Sequence, residues 1–224
     1  MNMENDERRL RPCLCFDLGG VLIRNAVFTG LPALLPAGQD LSVLRQRWLH
    51  SGVIRRFESG LCSADEFAQA FVQEWSLSIS ASEFLQEFYR WPEGFYEGVA
   101  ETLRALRPQY QLACLSNSNA LHWTKFADSL SVFDAALSSH QLGIMKPDRG
   151  IFDKAAAQLQ RAPQQIWFFD DMAENVHAAQ AAGWCAWQVQ GWDGTRTQLA
   201  ALGVPVLSRG EQHAGIVSVD CRSS

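Results

Sequence analysis

The chain has 224 residues, 47% hydrophobic and 19% charged, a composition that supports a packed core and excludes global disorder. Its net charge of -5 argues against nucleic acid or an anionic membrane as a partner, yet a bound cation can reverse the sign locally and admit an anionic substrate. No apolar run reaches membrane-span length and residues 1–10 lack a signal-peptide core, so a cytoplasmic protein is expected.

The first predicted element is the apolar run at 13–16, Cys-Leu-Cys-Phe, which stops on Asp17 and reads as a buried strand. Residues 1–10 before it are expected to be a mobile tail. Between 25 and 95 no good strand is predicted. Two segments there, 63–75 and 80–91, carry apolar residues at helical spacing. Each opens with a capping-box pair, Ser63 with Glu66 and Ser80 with Glu83. From 96 onward strand and helix alternate. Helix is predicted over 97–107, with Val99, Leu103 and Leu106 on one face, then strand over 110–117. Helix 120–130, strand 132–139, helix 148–160 and strand 165–171 follow. A helix over 173–183, capped by Gly183, and a strand over 184–190 complete the series. Beyond 203 the pattern weakens, and 204–224 is expected to be a second mobile tail.

Strands alternating with helices predict an α/β fold: a Rossmann-like parallel sheet with helices on both faces. The expected division is a core of 11–24 and 96–203, with 25–95 inserted as an all-helical unit. The six cysteines contain no C-x-x-C pair, and the five histidines are scattered, so no zinc pattern is present. Cys13, Cys15, Cys114 and Cys185 lie in apolar runs and read as small hydrophobes.

Ligands of open parallel sheets bind beyond the carboxyl ends of the strands. The residues at those ends are Asp17, then Ser116 with Asn117, then Asp170 with Asp171. Lys146 precedes Pro147, which biases it to extended backbone and suits the first turn of a helix, so the lysine is expected at the rim. Carboxylates crowded together raise each other's pKa unless a cation sits among them. A hard cation with oxygen ligands, Mg²⁺, answers that need. Metal, lysine and hydroxyl together would bind a phosphate, and a free carboxylate beside phosphorus can attack it.

The motifs "DLGGVL", "LSNSN", "MKPD" and "FFDDMAEN", in this order, resemble the haloacid dehalogenase-like (HAD) hydrolase superfamily. The likeness is to bacterial α-D-glucose-1-phosphate phosphatases and to the N-terminal phosphatase domain of soluble epoxide hydrolases. It spans residues 17 to 175, and the helical insertion falls where that family carries its cap. The resemblance implies that Asp17 is the nucleophile, forming an aspartyl-phosphate. It implies that Ser116 and Asn117 hold and orient the phosphate, and that Lys146 neutralises its charge and steadies Asp17. Asp17, the Gly19 carbonyl and Asp171 would bind Mg²⁺, Asp170 would act through a metal-bound water, and Asn175 would brace the loop. The expected partner is a small phosphorylated metabolite, and the expected assembly a monomer or small homo-oligomer.

Gly19 departs from the family pattern. Most phosphatases of the superfamily have a second aspartate there, whose acid–base help is worth roughly 10²–10⁴-fold. A water-relayed acid, or an anomeric phosphate with its more acidic leaving group, would lessen the need. Two rivals remain: a 2-haloacid dehalogenase-type hydrolase, whose known relatives carry tyrosine at this position, and a non-catalytic binding protein of the same fold. Gly19 and Gly20 also fit a purely backbone role, by positive φ or close approach. Ser116 and Asn117 fit plain helix N-caps, and Lys146 a surface lysine. Of the insertion's aromatics (Trp48, Phe57, Trp75, Tyr89, Trp91, Phe95), most are expected in its core and at most one or two at a substrate. Of Arg24, Arg45, Arg55 and Arg56, most are expected in solvent, with a second anionic group as the alternative for any that turns inward. His122, His140 and His177 have no evident partner.

Overall fold

The computed structural model describes residues 11–25 and 27–206, so the predicted tail at 1–10 and most of that at 204–224 lie outside the described residues. Five strands form one parallel sheet: β1 Cys13–Phe16, β4 Gln111–Ser116, β5 Ala135–Ser138, β6 Ile166–Asp170 and β7 Cys185–Gln188. Their order is β5-β4-β1-β6-β7. β1 is central, flanked by β4 and β6, and the chain reverses its direction of winding beside it. Such a reversal opens a crevice at the carboxyl ends of the strands.

Both faces of the sheet are covered, which explains why the strands read as continuous apolar runs. Successive side chains point to opposite faces. Leu14 and Phe16 join Leu112, Cys114 and Phe169 against Val99, Leu103 and Trp192. Cys13 and Cys15 join Ala113, Leu115 and Phe168 against Ile151, Phe152 and Trp184 on the other face. Burial pushes the Cys15 thiol well above its ordinary value and the Cys114 thiol up to about 12, as expected of thiols that serve as packing.

Helices Val99–Leu106, Arg149–Leu159 and Ala173–Ala181 form where the periodicity places them. Gly183, at φ +89°, sends its N–H to Gln180 O while Trp184 N–H bonds Ala179 O, ending the last of these. The expected helix over 120–130 breaks at Phe126 into Ala120–Lys125 and Ala127–Leu130. Helix Gly191–Ala201 is additional to the predicted elements. Its glycines at 191 and 194 weaken the local signal, and burial of Trp192, Thr195 and Leu199 holds it in place. Val204 is buried in the same core cluster.

The insertion has a core of its own, distinct from those under the sheet. Phe67, Phe71, Phe84 and Phe88 are buried there with Ile54, Phe57, Trp75 and Trp91. Phe57 stacks on Phe67 at 4.1 Å and Phe71 on Phe84 at 4.4 Å. The helices are Val27–Ala33, Leu41–His50, Gly52–Glu58, Ala64–Glu74 and Ala81–Arg90. Ser63 with Glu66 and Ser80 with Glu83 both form complete capping boxes. The stretch 25–95 is not free of strand, as the sequence reading expected. Its ends are tied by a short antiparallel ribbon, β2 Ile23–Asn25 with β3 Pro92–Phe95. Pro92 starts β3, where its missing N–H is tolerated, and Gly94 takes φ +122°, so β3 carries no strand signature, while β2 is only three residues long. Among the described residues no helix is long and apolar enough to cross a membrane.

Candidate active site

The site assembles at the carboxyl edge of β1, β4 and β6. Asp17 continues the ladder past β1, its N–H bonding Phe169 O at 2.8 Å, and its side chain enters the crevice. Lys146 Nζ lies 3.0 Å from Asp17 Oδ1 and 2.7 Å from Asp170 Oδ2, and donates to Leu115 O at 2.9 Å. The lysine is not at the rim, as its sequence context suggested, but 1% exposed. The Lys146–Pro147 peptide is cis, and the helix starts only at Arg149, so Pro147 precedes that helix instead of opening it. Asn117 fixes the Lys146 backbone from both sides: Lys146 N–H donates to its Oδ1 at 2.8 Å, and its Nδ2 donates to Lys146 O at 2.9 Å.

Asp170 lies beneath the crevice with no exposure. Its Oδ1 accepts Met172 N–H at 2.8 Å and Asn175 Nδ2 at 3.0 Å. Asn175 stands in the first turn of helix Ala173–Ala181, one turn beyond Asp171. Ser116, at the end of β4, is 5% exposed and lines the crevice. Neither Ser116 nor Asn117 caps the next helix, because Asn119 does so, accepting His122 N–H at 3.0 Å.

The charge balance is unequal. Asp17, Asp170 and Asp171 bring carboxylate oxygens within 4.8 Å of one another, and among the described residues Lys146 is the one cation paired with them. Burial raises the Asp17 carboxyl to about 6, although Lys146 pulls it down. Burial and then the charges of Asp17 and Asp170 raise Asp171 to about 7. Burial disfavours the Lys146 ammonium, yet Asp17 and Asp170 outweigh that and hold its pKa above the ordinary value. An excess of buried carboxylate is what a divalent cation relieves. Two backbone features suit such an ion. Among the described residues, nothing donates a hydrogen bond to the Gly19 carbonyl at the cavity wall. At Gly20 a Cβ would sit 2.4 Å from Asp171 Oδ2, so only glycine lets that carboxylate come so close. Positive φ, +76°, also falls on Gly20.

These residues open into a cavity of about 480 Å³ roofed by the insertion, with Trp48, Ile54, Arg45 and Glu58 in its wall. A smaller recess of about 70 Å³ continues past Gly19 and Ser116 to Phe88 and His122. Every site residue singled out in the sequence gathers here, with Asp170 as the floor. Of the four arginines, Arg45 and Arg55 reach the wall, and Arg55 pairs with Asp148. Of the six aromatics, Trp48 faces the cavities, while Phe57, Trp75 and Trp91 are insertion core. His122 does have partners: its Nε2 donates to Phe88 O at 2.8 Å, and burial lowers its pKa to about 4. Glu58 is the wall residue that sequence reasoning missed. It belongs to no motif, and its only signal is an acid within an otherwise apolar and basic helix, Gly52–Glu58. Burial, then the charge of Asp17, raises its carboxyl to about 7.

Comparisons with known proteins converge on one family. Residues 12–183 match the profile of the haloacid dehalogenase-like hydrolases. Phosphatase MT3486 of Mycobacterium tuberculosis is 27% identical over 148 residues, covering 62% of this chain and 68% of that protein. The crystal structure of HAD family enzyme bt-2542 from Bacteroides thetaiotaomicron, in complex with magnesium and inorganic phosphate, superposes with a TM-score of 0.65 at 20% identity, covering 80% of this chain and 94% of that one. A dehalogenase solved with an intermediate complex superposes with a TM-score of 0.64 at 19% identity, covering 85% and 96%. At such identities the structural likeness speaks for the fold.

Proposed function

The chain belongs to the haloacid dehalogenase-like hydrolases, and from that premise we propose that it is a Mg²⁺-dependent phosphatase of small phosphate monoesters, sugar phosphates among them. The observation that carries this reading is the cluster of three carboxylates, only two of which, Asp17 and Asp170, are paired with a lysine. Attack on a haloacid needs one free carboxylate. A cluster in excess of its cation suits a metal, and a metal with a lysine suits a phosphate.

In this reading Asp17 is the nucleophile. Asp17, Asp171 and the Gly19 carbonyl hold Mg²⁺, which when bound supplies charge for a phosphoryl group. Lys146 neutralises phosphate oxygens and keeps Asp17 ionised and oriented. Ser116 donates to a phosphate oxygen, and Asn117 keeps Lys146 in place through its paired backbone bonds. Asp170 and Asn175 fix the lysine and the loop from below. The segment 25–95 works as the cap that covers the cleft and selects the substrate.

The test is phosphate release from aryl phosphates, sugar-1-phosphates and sugar-6-phosphates, with Mg²⁺ or chelator, by wild type and Asp17→Asn. Release should require the metal, and Asp17→Asn should lose at least about 10³-fold, as removal of a nucleophile does. Halide release from a 2-haloacid without metal would favour the dehalogenase chemistry instead. Mg²⁺ binding with no turnover of any ester would favour a binding protein.

A further inference from the structure

Gly19 leaves the place two residues after Asp17 without a side chain, so a proton donor to the leaving group has to come from elsewhere. We propose that Glu58, carried by the helical insertion, is the general acid and base of this site. The inference rests on the phosphatase reading above.

Glu58 lines the main cavity together with Asp17, Gly19 and Ser116, and also lines the small recess beside Gly19. It is 9% exposed, and among the described residues its carboxyl group has neither hydrogen bond nor ion pair. A buried polar group without a partner is costly, and such groups are kept where they have work to do. The backbone beneath it is anchored to the core. Ser139 Oγ, just past β5, donates to Glu58 O at 2.5 Å. Gly60, at φ +70°, lies so close to His140 that a Cβ would sit 2.4 Å from its carbonyl oxygen. Arg55, on the preceding turn, pairs with Asp148. This end of the insertion therefore fixes the Glu58 backbone against the core, with the residue lining the crevice. Burial also favours the neutral form, the one that can donate a proton.

The steps balance as follows. A carboxylate oxygen of Asp17 bonds to phosphorus as the bond from phosphorus to the ester oxygen breaks. The proton of Glu58 passes to that oxygen, releasing an alcohol and leaving a carboxylate. That carboxylate then takes a proton from water as the water oxygen bonds to phosphorus. The bond to Asp17 breaks, its carboxylate is restored, hydrogen phosphate leaves, and Glu58 is protonated again.

Two aryl esters of similar size separate this role from a structural one. 4-Nitrophenyl phosphate has a leaving group that needs little protonation, whereas phenyl phosphate has one that needs more. In Glu58→Gln, kcat/KM for phenyl phosphate should fall roughly 10²-fold or more, and at least about tenfold further than for 4-nitrophenyl phosphate. Glu58→Ala offers the same comparison in a second background, with added formate restoring part of the phenyl phosphate rate. A burst of 4-nitrophenol equal to the enzyme concentration should appear in Glu58→Gln, because loss of the base slows the second step. An equal loss for both esters, or none, overturns the acid role, and absence of the burst overturns the base role. Asp17→Asn run in parallel keeps the two readings apart. If it stays active, the phosphatase mechanism itself falls. If it is inert while Glu58→Gln treats both esters alike, only the assignment of Glu58 falls.

Discussion

Lys146 holds two buried carboxylates at once, Asp17 and Asp170, and its own stem is almost fully buried. Lys146→Met keeps most of that volume and removes the charge. Removing one partner of a buried ion pair costs about 3–5 kcal/mol, so chemical unfolding should show a loss of that order at neutral pH. The loss should shrink as pH falls, since a protonated carboxyl needs no cation, and a loss independent of pH would mean that Lys146 acts through packing alone. Gly20→Ala should weaken Mg²⁺ binding in a titration, because its methyl group would displace Asp171. At this scale the sequence is informative where chemistry follows a strand. Asp17, Ser116, Asn117, Asp170 and Asp171 each stand at the end of an apolar run, and that position alone brings them together. It is silent on Glu58, whose place depends on how the insertion folds back over the sheet. It is also silent on the burial of Lys146, because neither side of the Met145-Lys146-Pro147 turn reveals what packs on it.

Helices of the insertion depend on their ends. The Ser80 side chain accepts Glu83 N–H at 3.2 Å, and the Glu83 carboxylate accepts Ser80 N–H at 2.8 Å. Ser80→Ala should cost about 1 kcal/mol, measured by thermal or denaturant unfolding, with turnover unchanged because the cap box is remote from the crevice. Both boxes were readable from spacing alone, since their partners are local. The strands of the sheet were readable for another reason: burial on both faces demands continuous apolar residues. The β2–β3 ribbon was not, because its stability comes from pairing between residues far apart in sequence, and Pro92 and Gly94 argue locally against strand.

Across the whole molecule the site sets a pH dependence. Asp17 is raised to about 6, and Asp171 and Glu58 to about 7, so the folded protein keeps protons that an unfolded chain releases near pH 4. Stability from these groups is fully present below the unfolded values and is lost as pH rises through about 6 to 7. In chelator, melting temperature should fall across that window. Added Mg²⁺ should restore more at its alkaline end, where the ion replaces protons on Asp17 and Asp171, and equal restoration at both ends would count against these ligands. The ribbon has a consequence for the order of assembly. β1 pairs with β4 across roughly a hundred residues, a loop whose closure is entropically costly. If Ile23 first meets Phe95, the loop still open between β1 and β4 shrinks to roughly two dozen residues. At about 0.6 kcal/mol per doubling, two doublings lower that closure cost by about 1 kcal/mol. The segment that roofs the finished site would thus also act earlier, as the clasp that brings the first strand to its neighbour.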